Sequence, residues 1–175
     1  MCGLSDLVIN LKALPFGLSE FEWTLSDDYF QTLDEAEVKR GTLRAHAALE
    51  KTSERAAALR LTLSGVLTMP CDRCLDDMQV PVESESMLMA ELGPEPADDD
   101  ERIVIDERDG LLDLSWIIYE QAMLALPLQR AHADGECNEQ MLKAIAEHSA
   151  KAGSAEEAPE TDPRWEALRR LKEEN

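Results

Sequence analysis

From Glu37 to Ala90 apolar and polar residues alternate, and the alternation is interrupted most sharply at Met69-Pro70-Cys71-Asp72-Arg73-Cys74-Leu75. Strict alternation sends every second side chain to one face of a strand. Leu43, Ala45, Ala47 and Leu49 thus define one strand and Leu59, Leu61 and Leu63 the next, with a turn at Lys51 to Ala56. Met78, Val80 and Val82, then Met87 and Met89, carry the pattern onto a returning strand. The cysteine stretch is therefore expected as the tip of a hairpin between antiparallel strands. Methionines at strand spacing read as core filler rather than as a soft-metal or adaptable binding stripe.

A Cys-x-x-Cys turn sets two sulfurs on one side of the backbone, which is half of a tetrahedral zinc shell. The other half has to come from Cys2, Cys137, His46, His132 or His148. His132 and Cys137 share one short polar loop, Arg130 to Cys137, directly after an expected helix, so one fold-back brings a nitrogen and a sulfur together to the turn. The set Cys71, Cys74, His132 and Cys137 is then a Cys3His structural zinc site. Two other readings stay open. One is a hairpin tip with reduced, unliganded thiols. The other is a thiol-disulfide redox protein with Cys71 as nucleophile and Cys74 as resolving thiol. The redox reading lacks the helix that usually follows such a pair and lowers its first pKa, since a strand follows here, although Arg73 would lower the Cys71 pKa modestly.

The rest of the chain supplies further elements. Leu7 to Leu11 and the alternating Phe21-Glu22-Trp23-Thr24-Leu25 read as strands, the first ending in a turn marked by Pro15 and Gly17. Ser26 followed by Asp27 and Asp28 reads as the start of a short capped helix. Glu91 to Glu101, with Gly93, two prolines and an acidic run, is expected as an exposed mobile loop without calcium-loop spacing. Arg102 to Asp106 gives another strand. Asp113 stands where an N-cap precedes the main helix, whose Leu114, Trp116, Ile117, Ile118, Met123 and Leu124 bury it against the sheet until Pro127 stops it. A shorter helix is expected over Asn138 to His148. Residues 150–161 have linker composition. In the tail, Asp162 caps, Pro163 fits the first helical position, and Trp165, Leu168 and Leu171 share one face. So short a helix is marginal alone. It is expected to dock on its own domain or on a partner.

A length of 175 residues suits one domain with a real core and an accessory tail. We therefore expect an α+β domain over residues 1–149, a flexible linker over 150–161 and a helical tail over 162–175. The sheet is expected to be mainly antiparallel, with one covering helix. The formal net charge of -20 repels polyanions at long range and favours basic partners. The four cysteines make no disulfide framework and read as reduced thiols of a cytoplasmic protein. The first residues lack a secretory leader, and the most apolar run, Leu111 to Leu128, is broken by Asp113, Glu120, Gln121 and Pro127, so it reads as a core helix rather than a membrane span. No nucleophile elbow, paired metal-binding histidines or phosphate loop supports a hydrolase.

These residues together resemble the bacterial YceD family, associated with accumulation of large-subunit ribosomal RNA. The resemblance rests on Ser64-Gly65 leading into Cys71-Asp72-Arg73-Cys74-Leu75, the helix from Asp113-Leu114 to Ala125-Leu126-Pro127, the His132 to Cys137 loop, and Asp162-Pro163-Arg164-Trp165. It implies a non-enzymatic role in large-subunit biogenesis. Combined with the acidic charge, it points to a basic ribosomal protein as partner, with ribosomal RNA engaged only indirectly and no membrane or small-molecule substrate. Arg164, Trp165, Leu168 and Leu171 are the expected partner-binding residues.

Overall fold

The computed structural model describes residues 4–33, 36–98, 102–133 and 135–149. The linker and the tail, with Arg164, Trp165, Leu168 and Leu171, lie outside the described residues, as do Cys2 and most of the acidic run. Among the described residues eight strands run in chain order: β1 (Val8–Asn10), β2 (Gly17–Leu25), β3 (Arg40–Lys51), β4 (Ala56–Pro70), β5 (Asp77–Gly93), β6 (Ala97–Asp98), β7 (Arg102–Asp106) and β8 (Leu111–Asp113). The helices are α1 (Asp27–Thr32), α2 (Ser115–Leu124) and α3 (Glu139–His148). The fold is α+β. A six-stranded sheet has the order β2-β3-β4-β5-β7-β6, antiparallel except where β7 lies parallel to β5, and β1 pairs with β8 in a separate two-stranded sheet.

The long β4–β5 hairpin organises the sheet. Its register runs without a bulge from Ala56↔Glu91 to Pro70↔Asp77, which places the cysteine turn at one end. The alternation then sorts the faces. Leu43, Ala45, Ala47 and Leu49 of β3, Leu59, Leu61, Leu63 and Leu67 of β4, and Val80, Val82, Leu88 and Ala90 of β5 form the buried face. α1 packs on β3, and α2 packs on β4 and β5. Each large side chain buried here contributes about 1.5–3 kcal/mol. Tyr29 ties the two helices together, its hydroxyl donating to the Ser115 carbonyl at 2.6 Å. Burial, then the nearby Tyr119 and Asp113, raises its pKa. Gly65 marks a close approach of β4 to β3: a Cβ there would stand 2.1 Å from the Thr42 carbonyl oxygen. Only glycine permits that approach.

The other face of the six-stranded sheet is open and mixed: Leu18, Val66, Met87 and Met89 are exposed on it beside the pairs Glu22–Arg44 at 3.6 Å, Glu20–His46 at 3.5 Å, Arg60–Glu85 at 2.8 Å, and Arg40–Asp77. Exposed pairs of this kind are worth about 0–1 kcal/mol each. They fix the partners of the polar rows more than they stabilise them.

Several local expectations change. Met87 and Met89 are not core filler. With Val80 and Val82 facing inward on an unbroken strand, odd-numbered positions face outward, and the two methionines are 62% and 37% exposed. Lys51 is not in the turn; it ends β3, is buried, and its ammonium donates to the Leu14 carbonyl at 2.9 Å and the Lys12 carbonyl at 3.3 Å, over the Phe16 ring. Leu7 ends a 3-10 turn rather than starting a strand. Ser26 occupies the N-cap of α1 without a side-chain cap bond. The cap of α2 falls on Leu114, while the Asp113 carboxylate accepts from the Ser115 amide at 2.8 Å. Trp116 and Leu124 of α2 are exposed, and Ile117, Ile118, Tyr119 and Ala122 are the buried residues that hold the helix down. Leu111 to Asp113 is strand, so the apolar run is a strand and a helix in succession. The expected long acidic loop is partly paired: Glu91 to Gly93 belongs to β5 and Ala97–Asp98 to β6. No helix among the described residues is long and apolar enough to cross a membrane.

Candidate metal centre

At the end of the β4–β5 hairpin the backbone reverses within a few residues. The Cys71 amide donates to the Asp76 carbonyl at 2.9 Å and the Leu75 amide to the Cys71 carbonyl at 3.0 Å. Leu75 completes the reversal at φ 64, left-handed space that side chains other than glycine seldom occupy. The turn is tight enough for the Arg73 amide to donate to the Cys71 sulfur at 3.4 Å.

The segment after α2 folds back onto this turn. The Asp72 amide donates to the Arg130 carbonyl at 2.7 Å, and the Arg130 amide donates to Asp72 Oδ2 at 2.7 Å. The Arg130 guanidinium adds a contact to Asp72 Oδ1 at 3.4 Å. This reciprocal clamp leaves His132 beside the cysteines. Gly135, at φ 89, and a Glu136 amide to Ala133 carbonyl bond at 3.0 Å then turn the chain so that Cys137 returns to the same spot. Asn138 caps α3 immediately afterwards, accepting from the Gln140 and Met141 amides. Asp72 and Arg130 are the residues that spacing alone missed. Their signal was an acid inside the turn and a base shortly before the second ligand pair.

Cys71, Cys74, His132 and Cys137 thus meet, with one ligand atom of each within 4.8 Å of all the others. Cys71 Sγ lies 3.9 Å from Cys137 Sγ; His132 Nδ1 lies 3.3 Å from Cys74 Sγ and 3.9 Å from Cys137 Sγ. A zinc ion with sulfur at about 2.3 Å and nitrogen at about 2.0–2.1 Å has tetrahedral edges of about 3.8 Å between sulfurs and about 3.5–3.6 Å from sulfur to nitrogen. The four residues fit that shell and can hold a metal. His46 instead faces Glu20 on the open side of the sheet, and His148 is exposed at the end of α3.

The three cysteines are buried and free, packed with Met78, Ala131, Met141 and Leu142. Burial pushes the Cys71 thiol up, but hydrogen bonds from the Cys74, Arg73 and His132 backbone outweigh it and bring it to about 6. Burial, then the neighbouring Cys71 and Cys74, pushes Cys137 up to about 11. The Cys71 side chain raises the His132 pKa against the opposing effect of burial. Without metal, then, the pocket favours a Cys71 thiolate, a protonated Cys137 and a more basic imidazole. A divalent cation held by Cys71, Cys74, His132 and Cys137 would replace those protons in holding the donors together.

The molecule is an α+β protein whose open-faced sheet carries at its hairpin tip a Cys3His cluster that could hold a metal. A family model described as large ribosomal RNA subunit accumulation protein YceD matches residues 59–172, and the chain belongs to this family. The match takes in all but the first three residues of the hairpin and the whole cluster, His132 and Cys137 included. No curated protein and no solved structure matches the chain.

Proposed function

We propose that this protein is a non-catalytic, cytoplasmic assembly factor for the large ribosomal subunit that holds a basic ribosomal protein and reaches ribosomal RNA through it. Family membership is the observation that carries this reading. The net charge of -20 supports the choice of a basic polypeptide over RNA as the direct contact. Cys71, Cys74, His132 and Cys137 hold a structural zinc ion in this reading. With four protein ligands the shell is closed, so zinc supplies cross-linking and leaves no position for a substrate water. Arg164, Trp165, Leu168 and Leu171 of the tail add a docking helix for the partner.

The test is recovery of partners on the tagged full chain from gently lysed cells, with and without ribonuclease. A basic large-subunit protein retained after ribonuclease is the expected result; loss of every ribosomal component on RNA digestion overturns it. Truncation after Gly153 should lower partner recovery and leave the melting temperature unchanged. Elemental analysis of unchelated protein should find one zinc per chain, lost in Cys71→Ser.

A further inference from the structure

The two ends of the six-stranded sheet are finished differently. One is β6, two residues long among the described residues, and a short edge strand is one of the devices by which sheets avoid unwanted pairing. The other is β2, nine residues, paired to β3 without interruption from Gly17↔Lys51 to Leu25↔Leu43. β2 contains no proline, no lysine and no bulge, and its inward positions carry no charge. Among the described residues no strand pairs with its outer side. It therefore offers a straight row of backbone donors and acceptors.

Its two faces specify what can add to that row. Glu20 and Glu22 are exposed on the open face, while Phe21 and Trp23 are half-buried on the other, their rings parallel within 5° and 5.8 Å apart. A second copy of this chain is disfavoured. Antiparallel self-pairing centred on Phe21 sets Glu20 opposite Glu22 of the copy, and like charges directly opposed destabilise a sheet. A basic strand meets the opposite situation. Arg44 and His46 already flank these acids on the β3 side at 3.6 and 3.5 Å, so an incoming cation places each acid between two basic rows.

We propose that β2 is a docking edge for an extended basic peptide that alternates Lys or Arg with apolar residues, the bases beside Glu20 and Glu22 and the apolar side chains beside Phe21 and Trp23. Backbone hydrogen bonds supply the attachment and the alternating side chains supply selectivity. This rests on the reading that the partner is a basic polypeptide and locates where it binds.

The experiment uses the full chain with a blocked peptide of alternating lysine and valine, followed by amide hydrogen exchange in physiological salt. The outward amides of β2 should exchange freely in the unliganded chain and slow at least ~10-fold on saturation. A fully backbone-N-methylated analogue of equal charge should bind at least ~10-fold more weakly, because it has no N–H to donate. The double variant Glu20→Lys, Glu22→Lys should lose affinity about tenfold, keep its melting temperature, and gain affinity for a peptide alternating glutamate and valine. Equal binding of the methylated analogue, or protection elsewhere, overturns the docking edge and leaves the basic-partner reading standing. Failure to bind the peptide also overturns it. So do outward β2 amides already protected in the unliganded chain, which would place residues 150–175 or a second copy on the edge. Partner recovery with ribonuclease tests the basic-partner reading independently.

Discussion

Leu59 and Cys71 lie on and just beyond the same strand, both with no exposed surface, yet different forces hold them. Leu59 sits between Leu49 and Leu88 in the sheet, and its neighbours are held by apolar burial that has no preferred direction. Cys71 sits in a small satellite cluster whose partners Cys74, His132 and Cys137 must be aimed at one point. The comparison teaches that one hairpin joins two separable stabilising units. A broad core sets the sheet, and a small directional cluster sets how the segment after α2 returns to it.

The largest expected effect comes from attacking the core alone. Leu59→Ala should cost about 2–5 kcal/mol in urea denaturation, through lost burial and the cavity left behind. The folded variant should bind metal with unchanged stoichiometry. Loss of metal from a still-folded variant would show that the two units are one.

Next is the close approach between the strands. Gly65→Ala drives a Cβ toward the Thr42 carbonyl and should cost about 1–3 kcal/mol, with faster amide exchange in β3 and β4. Retained protection at the cysteine turn under those conditions would sharpen the separation; collapse at both ends would abolish it.

The third effect is confined to the cluster. Chelation should raise amide exchange in residues 71–77 and 130–142 while the middle of β3 and β4 keeps its protection. Asp72→Ala removes the carboxylate that accepts from the Arg130 amide, and should weaken metal affinity about tenfold by loosening the His132 loop, as losses of supporting contacts around metal ligands do. Competition with a colourimetric chelator measures it. Unchanged affinity would mean that the ligands position themselves.

The smallest effect is the pH dependence of the metal-free protein. The folded Cys71 pKa, about 6, is depressed below the ordinary thiol value, so its contribution is full above about 9 and is lost as pH falls through about 6. Cys137, raised to about 11, contributes fully below about 9 and loses that contribution as pH rises through about 11. The stability gap between metal-free wild type and Cys71→Ser should therefore widen from pH 6 to pH 8.5. Metal affinity should rise over the same range, because Cys137 must give up its proton to bind. A gap independent of pH would remove the thiolate from the cluster.

Much of this architecture was legible in local pattern. The strands from Leu43 to Val82, the hairpin tip at Cys71 and Cys74, the helix stopped near Pro127 and the α3 segment all follow from spacing, capping and turn residues. Met87 and Met89 were misread although parity alone places them: on an unbroken strand they cannot share a face with Val80 and Val82. The sequence left open whether a bulge intervened. Lys51 was misread for another reason. Its burial depends on the Lys12 and Leu14 carbonyls, contributed by a loop remote in sequence.

By itself, then, the sequence determined what most of the long segments are, because alternation, helical spacing and turn chemistry follow from local stereochemistry. It also named the four residues that meet at the hairpin tip, since their chemistry is carried by residue type. Only the tertiary structure decided that β7 lies parallel beside β5, that β2 is left as an edge, and that Asp72 clasps Arg130 across 58 positions of chain. Those outcomes depend on which distant surfaces fit, and sequence spacing records distance along the chain, not the complementarity that brings its ends together.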